Sequence, residues 1–282
     1  MQPARRRLCA ALLAWTSAPC WAVAPTLAPA SGAAANGSER RAALVIGNSA
    51  YKVGVLKNPV NDAQAVAASL KGLGFDVVLR ENTSLRDLIE AFRQFSMSAK
   101  TAAVRVVFYA GHGVQVKGRN YLLPVDTEIR SEDEVSTKSA DLTEMLERMS
   151  AIKQGINIVI LDACRNNPFS GEIVDADGRR LKFRGATPSG LAPMDAPLGT
   201  MVAFSTSPNG VALDSPSEKN SLYTKHLLGS MGTPGLPVEL LFKQVRLSVA
   251  RETGRVQVPW ESSSLTGDFC FKQAPGGGCS TK

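Results

Sequence analysis

The sequence predicts an α/β protein built on a mainly parallel, six-stranded sheet with helices on both faces. Short apolar runs rich in β-branched residues alternate with longer segments whose apolar residues recur at helical spacing. The strand-like runs are mostly apolar, and the run at 42–47 has no charged residue, which is typical of strands buried on both faces of a parallel sheet. A content of 44% hydrophobic and 20% charged residues excludes a wholly disordered chain.

Four predicted strands alternate with three predicted helices in the first half of the chain. Ser84 marks one helix start, because serine is a favourable N-cap and Asp87 follows in the first turn. The predicted strands span residues 42–47, 75–79, 104–109 and 156–161, and the predicted helices span residues 59–73, 85–97 and 142–152. Functional residues are expected at the carboxyl ends of the strands, where parallel sheets place their sites.

The second half of the chain begins with a break in this pattern. Residues 171–198 combine glycines and prolines with a group of charged residues, which indicates a loop. The pattern resumes with a fifth strand at 200–205, helices at about 220–231 and 237–252, and a last strand at 267–271. We expect one domain over residues 41–272 and a flexible tail at 273–282.

The N-terminus has the parts of a secretory signal peptide. Three arginines at positions 5–7 precede an apolar stretch at 8–15, and Ala22 and Ala24 form an A-x-A-like cleavage motif. We predict a signal peptide at 1–30, a linker at 31–40 and an exported protein, periplasmic or secreted. The alternative is a basic tail on a cytoplasmic protein. No apolar run approaches the ~18 residues of a membrane-spanning helix, so stable membrane insertion is not expected.

Charge and cysteine content bear on partners and compartment. Signal cleavage would remove three of 32 basic residues and no acidic one, lowering the formal net charge from +7 to +4. This mild charge gives no reason to expect nucleic-acid binding. Cleavage would also leave three cysteines. Cys270 and Cys279 enclose a glycine-rich stretch and would form a disulfide in an oxidising compartment or stay as two thiols, while Cys164 has no partner.

The most reactive residue types follow the third and fourth predicted strands. His112 stands between Gly111 and Gly113, and Cys164 comes 52 residues later. Neighbouring parallel strands would place both at one edge of the sheet, where an imidazole can activate a thiol. The alternatives are a buried structural cysteine and a histidine that caps a turn. The other histidine, His226, lies inside a predicted helix without a motif around it.

Several further segments, taken together and in order, carry a resemblance over residues 41–272. They are ALVIGN at 43–48, FYAGHGV at 108–114, YLLPVD at 121–126, DACRNNPF at 162–169, NSLYT at 220–224 and QVPWE at 257–261. The chain resembles the caspase-like cysteine peptidases of the C14 clan, and specifically their bacterial metacaspase-like members. The resemblance implies a caspase-like fold and the activity of a cysteine endopeptidase.

The resemblance also implies roles for individual residues. Cys164 would be the nucleophile and His112 the general base, and the backbone amides of Gly113 and Cys164 would form the oxyanion hole. Caspases have glutamine two residues before the cysteine, whereas this chain has Asp162, as metacaspases do, and Asp62 matches their second aspartate. Two carboxylates imply cleavage after Arg or Lys. The alternatives are a helix-capping role for Asp62 and a structural hydrogen bond for Asp162.

The resemblance also implies a role for the predicted loop at 171–198. This loop would separate a large-subunit-like part (41–170) from a small-subunit-like part (199–272), with Ser205 pairing with the substrate backbone. Self-cleavage of a zymogen in this loop is a hypothesis, and an ordinary surface loop is the alternative. The candidate cleavage residues are Arg179, Arg180, Lys182 and Arg184.

Other classes of function have less support. The chain lacks a G-x-S-x-G esterase motif and a glycine-rich phosphate loop, and its cysteines and histidines lack zinc-ligand spacing. We expect peptide or protein substrates and no cofactor or metal, although calcium activation, known in some metacaspases, stays open, as does the oligomeric state. The alternative function is a caspase-fold binding or scaffold protein without turnover.

Overall fold

The computed structural model describes residues 39–164, 172–174, 180–182, 191–208, 210, 212 and 217–280, with Cys164 and the two three-residue segments described by their backbone alone. The predicted signal peptide and residues 31–38 of the predicted linker lie outside the described residues. Among those described, no helix is long and apolar enough to cross a membrane.

Ten strands and six α-helices make up the described part of the chain. The strands are β1 (Arg41–Gly47), β2 (Phe75–Glu81), β3 (Val104–Val116), β4 (Arg119–Leu122), β5 (Ala140–Asp141), β6 (Ile156–Cys164), β7 (Glu172–Val174), β8 (Arg180–Lys182), β9 (Thr200–Phe204) and β10 (Trp260–Ser263). The helices are α1 (Pro59–Gly72), α2 (Leu85–Ser98), α3 (Val135–Lys138), α4 (Leu142–Ser150), α5 (Leu222–Met231) and α6 (Val238–Glu252).

The central sheet has six strands in the order β10-β9-β6-β3-β1-β2. All neighbouring pairs are parallel except β9 and β10, which are antiparallel. The short strands β4 and β5 extend the sheet as antiparallel additions to the far end of β3. The predicted caspase-like α/β fold, with a mainly parallel sheet, is confirmed.

Each face of the sheet is covered by a separate layer of helices. On one face, alternate strand residues such as Val45, Phe108 and Ile160 pack in a core with α1, α5 and α6. On the other face, the residues in between, such as Tyr109 and Leu161, pack with α2 and α4. This two-sided burial is why the strands read as continuous apolar runs.

The last strand was predicted at the wrong place. The edge strand is β10, whereas residues 267–271 form no strand, and the carbonyls of Phe269 and Phe271 accept hydrogen bonds from the Val238 amide and the Arg41 side chain. Phe269 and Phe271 are buried with their rings 4.9 Å apart, edge to face, in the core beside α6. Their alternating apolar pattern therefore reflects core packing. β10 was missed because its sequence, WESS, is mostly polar, as a strand with one unpaired edge allows.

Two segments predicted as loop or tail are more ordered than expected. Within 171–198, β7 and β8 form an antiparallel hairpin that is not part of the main sheet. The tail is joined to the domain by a disulfide between Cys270 and Cys279 and by backbone hydrogen bonds of Gly235 with Lys272 and with Ser280. These contacts connect described residues of the predicted tail to the domain.

Candidate active site

The register between β3 and β6 brings His112 and Cys164 together. The two strands pair in parallel from Val104 opposite Ile156 to His112 opposite Cys164. The last two pairs, Gly111 opposite Ala163 and His112 opposite Cys164, lie beyond the last residues that β1 and β9 contribute to the sheet, Gly47 and Phe204. The backbones of the predicted base and nucleophile are thus direct neighbours at the carboxyl edge of the sheet.

The His112 ring is held by the loop that follows β1. Its Nε2 lies 2.6 Å from the carbonyl oxygen of Gly54, and the ring centroid lies 4.4 Å from that of Tyr51. A carbonyl oxygen only accepts hydrogen bonds, so Nε2 must carry a hydrogen. In the neutral ring the lone pair is then on Nδ1, which is the tautomer that a general base at Nδ1 requires.

Two tyrosines fix the backbone of His112, and this explains the glycine before it. The Tyr51 hydroxyl accepts a hydrogen bond from the His112 amide at 2.8 Å, and the Tyr109 hydroxyl donates to the His112 carbonyl at 2.8 Å. A Cβ on Gly111 would lie 2.5 Å from the Tyr51 hydroxyl and 2.8 Å from that of Tyr109. Glycine is required here by the tyrosines rather than by a substrate.

Gly113, the predicted oxyanion donor, lies opposite Leu122 in the β3–β4 pair. A Cβ on Gly113 would approach Leu191 Cδ2 to 3.0 Å, so close packing restricts this position too. Tyr109 belongs to the FYAGHGV segment of the resemblance, but the role of the two tyrosines was not identified from the sequence.

Asp62 and Asp162 meet at the start of α5, as the predicted acidic pocket requires. Asp62 Oδ1 accepts hydrogen bonds from Asn220 Nδ2 at 2.8 Å and from the Ser221 amide at 3.0 Å. Asp162 Oδ2 accepts from the hydroxyls of Ser221 and Thr224, the latter at 2.9 Å. Ser221, which is also the N-cap of α5, therefore donates to both carboxylates.

These contacts bear on the alternatives for the two aspartates. Asp62 is in the first turn of α1, yet the hydrogen bonds its side chain accepts come from the segment before α5. Asn58, at the start of α1, likewise donates to the carbonyls of Glu218 and Lys219. The contacts thus link α1 to the 218–221 segment, and their donors were not identified from sequence.

Burial and like charge keep a proton on the acidic pair. Asp62 is 1% exposed and Asp162 is 7% exposed. Burial and, after it, the nearby Asp162 carboxylate together raise the pKa of the Asp62 carboxyl to about 8, against the lowering effect of the hydrogen bonds from Asn220 and Ser221. Near neutral pH the buried pair therefore holds a proton.

Ser205 does not fit the role predicted for it. It is 1% exposed, its amide donates to the Leu161 carbonyl at 2.9 Å, and its own carbonyl accepts from Gln257 Nε2 at 2.8 Å. Both backbone groups are thus used inside the protein, which corrects the prediction that Ser205 pairs with the substrate backbone. The sequence did not show this because Gln257 lies 52 residues away.

The candidate self-cleavage residues are only partly described. Arg180 and Lys182 lie on β8, opposite Val174 and Glu172 of β7, and Arg179 and Arg184 lie outside the described residues. No group of three or more metal-ligating side chains occurs among the described residues.

Comparisons with known proteins agree with this geometry. The family model described as the caspase domain of peptidase C14 matches residues 40–270. Over 145 residues, half of this chain, the sequence is 29% identical to mucosa-associated lymphoid tissue lymphoma translocation protein 1 of Homo sapiens and to its Mus musculus homologue. The match spans only 17% of the length of these curated relatives.

Proposed function

The chain belongs to the caspase domain family of peptidase C14, and we propose that it is a metacaspase-like cysteine endopeptidase that hydrolyses peptide bonds after Arg or Lys. The observation that supports this most is the strand register, which sets His112 opposite Cys164. Asp162 lies two residues before Cys164, and Ser221 donates hydrogen bonds to both Asp162 and Asp62. Nucleophile, base and a cation-binding pocket then occupy one edge of the sheet.

In the first half of the reaction, His112 Nδ1 takes the proton of the Cys164 thiol and the thiolate attacks the carbonyl carbon of the scissile bond. The oxyanion that forms accepts hydrogen bonds from the amides of Gly113 and Cys164. When the intermediate collapses, the carbon–nitrogen bond breaks and His112 gives its proton to the leaving amine. The acyl group stays on the sulfur as a thioester.

In the second half, His112 removes a proton from a water molecule, whose oxygen attacks the thioester carbon. The carbon–sulfur bond breaks, the acid product leaves, and the sulfur takes back the proton from His112. The hydrogen bond from Nε2 to the Gly54 carbonyl supports this cycle, because it stabilises the imidazolium that forms twice per turnover.

The acidic pair supports a preference for a cationic P1 side chain. An arginine or lysine entering the pocket would meet the carboxylates of Asp62 and Asp162 and form charge-assisted hydrogen bonds. The bound cation would also lower the pKa of Asp62, which would then release its proton. Both carboxyl groups would therefore be charged only when the positive charge of the P1 side chain lies beside them.

Export and self-processing are part of the same proposal. The disulfide between Cys270 and Cys279 supports an oxidising compartment, as the N-terminal sequence does. Cleavage after a basic residue in 171–198 would convert an inactive zymogen into the active enzyme. Of the candidate residues, Arg180 and Lys182 are paired in the hairpin, which must open before an extended segment can enter the site.

The test is hydrolysis of matched peptides with Arg, Lys or Asp at P1, by the wild type and by Cys164→Ala, with and without calcium. We expect turnover of the Arg and Lys peptides that is lost in the variant. Cleavage after Asp would contradict the role of the acidic pair. No turnover by the intact or the processed chain would instead favour the binding or scaffold function.

A further inference from the structure

A short apolar loop lies against the predicted catalytic histidine. Its residues 52–55 lie between two buried side chains, Tyr51 and Leu56, and its first residue, Lys52, forms an ion pair with Glu128. Val53 and Val55 nevertheless face solvent, with 37% and 69% of their surface exposed. Single exposed apolar side chains are common on protein surfaces, so the position of these two decides their meaning.

That position is defined by Gly54, which stands between the two valines. Gly54 has a φ of +71°, a left-handed conformation that favours glycine, and its carbonyl oxygen binds Nε2 of His112. The loop therefore holds the His112 ring at Nε2, whereas the proposed proton transfer with the Cys164 sulfur takes place at Nδ1.

The order of the strands gives the direction in which a substrate crosses this edge. Asp162 and Cys164 belong to β6, His112 belongs to its neighbour β3, and the loop follows β1, the strand beyond β3. A peptide whose P1 side chain lies at the acidic pair would pass Cys164, then His112, then the loop.

The chemistry gives the same direction. His112 must hand its proton to the nitrogen of the leaving amine, which belongs to the residue after the scissile bond, P1′. The P1′ residue therefore lies beside the imidazole ring and reaches the loop that carries this ring.

We propose that Val53 and Val55 form an apolar subsite for the side chain of P1′, so that the peptidase prefers an apolar residue immediately after the basic P1 residue. This inference rests on the proposed function, because it needs a substrate aligned by Asp62 and Asp162.

The experiment uses internally quenched peptides that carry Arg at P1 and either Leu or Ser at P1′ and are otherwise identical. We expect kcat/KM of the wild type to be about tenfold higher for Leu, near the lower end of what an apolar contact adds to discrimination. Val55→Ser should bring this ratio close to one, with a smaller effect of Val53→Ser. Val256→Ser, which alters a valine of similar exposure (64%) between α6 and β10, should leave the ratio unchanged.

A second readout separates this inference from the proposed function. The same peptides are titrated onto Cys164→Ala and its Val55→Ser double variant, and binding is followed by fluorescence anisotropy. Cleavage without a Leu preference, or a preference that Val55→Ser leaves intact, overturns the inference and keeps the peptidase. A Val55-dependent Leu preference in binding without cleavage by the wild type keeps the subsite and overturns the peptidase. Absence of both binding and cleavage overturns both.

Discussion

The carboxyl group of Asp62 is buried, with only 1% of the residue exposed to solvent. In the folded protein its pKa is about 8, whereas a solvated aspartate has a value of 3.8, and burial is the larger cause, ahead of the charge of Asp162. Between these two pH values the folded state binds a proton that the unfolded state has lost. Stability contributed by this residue therefore falls as pH rises from about 4 to about 8.

Asp62→Asn tests this linkage. The amide oxygen can still accept the hydrogen bonds of Asn220 and Ser221, while the ionisable group is gone. We expect the variant to gain Tm relative to the wild type as pH rises from 5 to 9, by about 2–4 °C for each kcal/mol. Thermal unfolding at both pH values measures this gain, and an equal difference at pH 5 and pH 9 would contradict the raised pKa.

The proton on Asp62 should also make the preference for a cationic P1 residue depend on pH. Arginine must displace this proton from the acidic pair, whereas citrulline, a neutral residue of nearly the same shape, need not. We expect the ratio of kcat/KM for P1 Arg over P1 citrulline to rise with pH, by at most about tenfold per unit, and to level off above pH 8. Taking the ratio cancels the titration of the catalytic groups, and a flat ratio from pH 6 to 9 argues against Asp62 in the pocket.

Two buried tyrosines give a matched pair of substitutions. The Tyr109 hydroxyl lies within donating distance of the carbonyls of His112 and Leu123, whereas the buried Tyr223 hydroxyl has no hydrogen-bond partner among the residues that the structure describes. Tyr109→Phe should destabilise the fold by about 1 kcal/mol, and Tyr223→Phe should be neutral or stabilising. Chemical denaturation of both variants checks the order, and the reverse order would contradict it.

At the scale of elements, the sequence predicted well what depends on local pattern. Five apolar strands and the five longer helices follow from periodicity, since each is buried on a continuous face, whereas the short helix α3 was not predicted. The extension of β3 to Val116 was missed, because two glycines within it resemble a strand end and its pairing with β4 is a tertiary contact. β10 was missed because its sequence, WESS, is mostly polar and lacks the apolar run by which the other strands were predicted.

The site was predictable only where one residue is chemically distinctive. His112 and Cys164 stand out by type and position, and Asp62 and Asp162 were named through the family resemblance. Their supporting groups do not stand out, because a backbone carbonyl such as that of Gly54 and a capping serine such as Ser221 are common features that gain meaning only from the fold. Ser205 was assigned wrongly because a strand-end serine indicates neither its burial nor the glutamine that binds it.

At the scale of the whole molecule, the two ends of the sheet differ in what they do. The carboxyl edge carries the candidate active site. The amino ends of β3 and β6 line a cavity of about 690 Å³ together with the disulfide between Cys270 and Cys279. Residues that set the chemistry and residues that hold the tail are thus separated by the length of the strands.

This separation predicts that the disulfide affects stability without affecting catalysis. Replacing both Cys270 and Cys279 by serine should lower the free energy of unfolding by about 2–3 kcal/mol, the size expected for a ring this short. Thermal unfolding measures the loss, and peptide hydrolysis well below Tm should be unchanged. A proportionate loss of kcat would show that the tail supports the active site as well.

One practical consequence concerns the three cysteines of the domain and its tail, Cys164, Cys270 and Cys279. The proposed nucleophile acts only as a thiol, whereas the bond at the opposite end of the sheet exists only when its two sulfurs are oxidised. A reductant added to regenerate Cys164 would therefore also open the tail. Titrating dithiothreitol into an inactive preparation should first restore hydrolysis and then, at higher concentration, shorten the lifetime of the enzyme on warming.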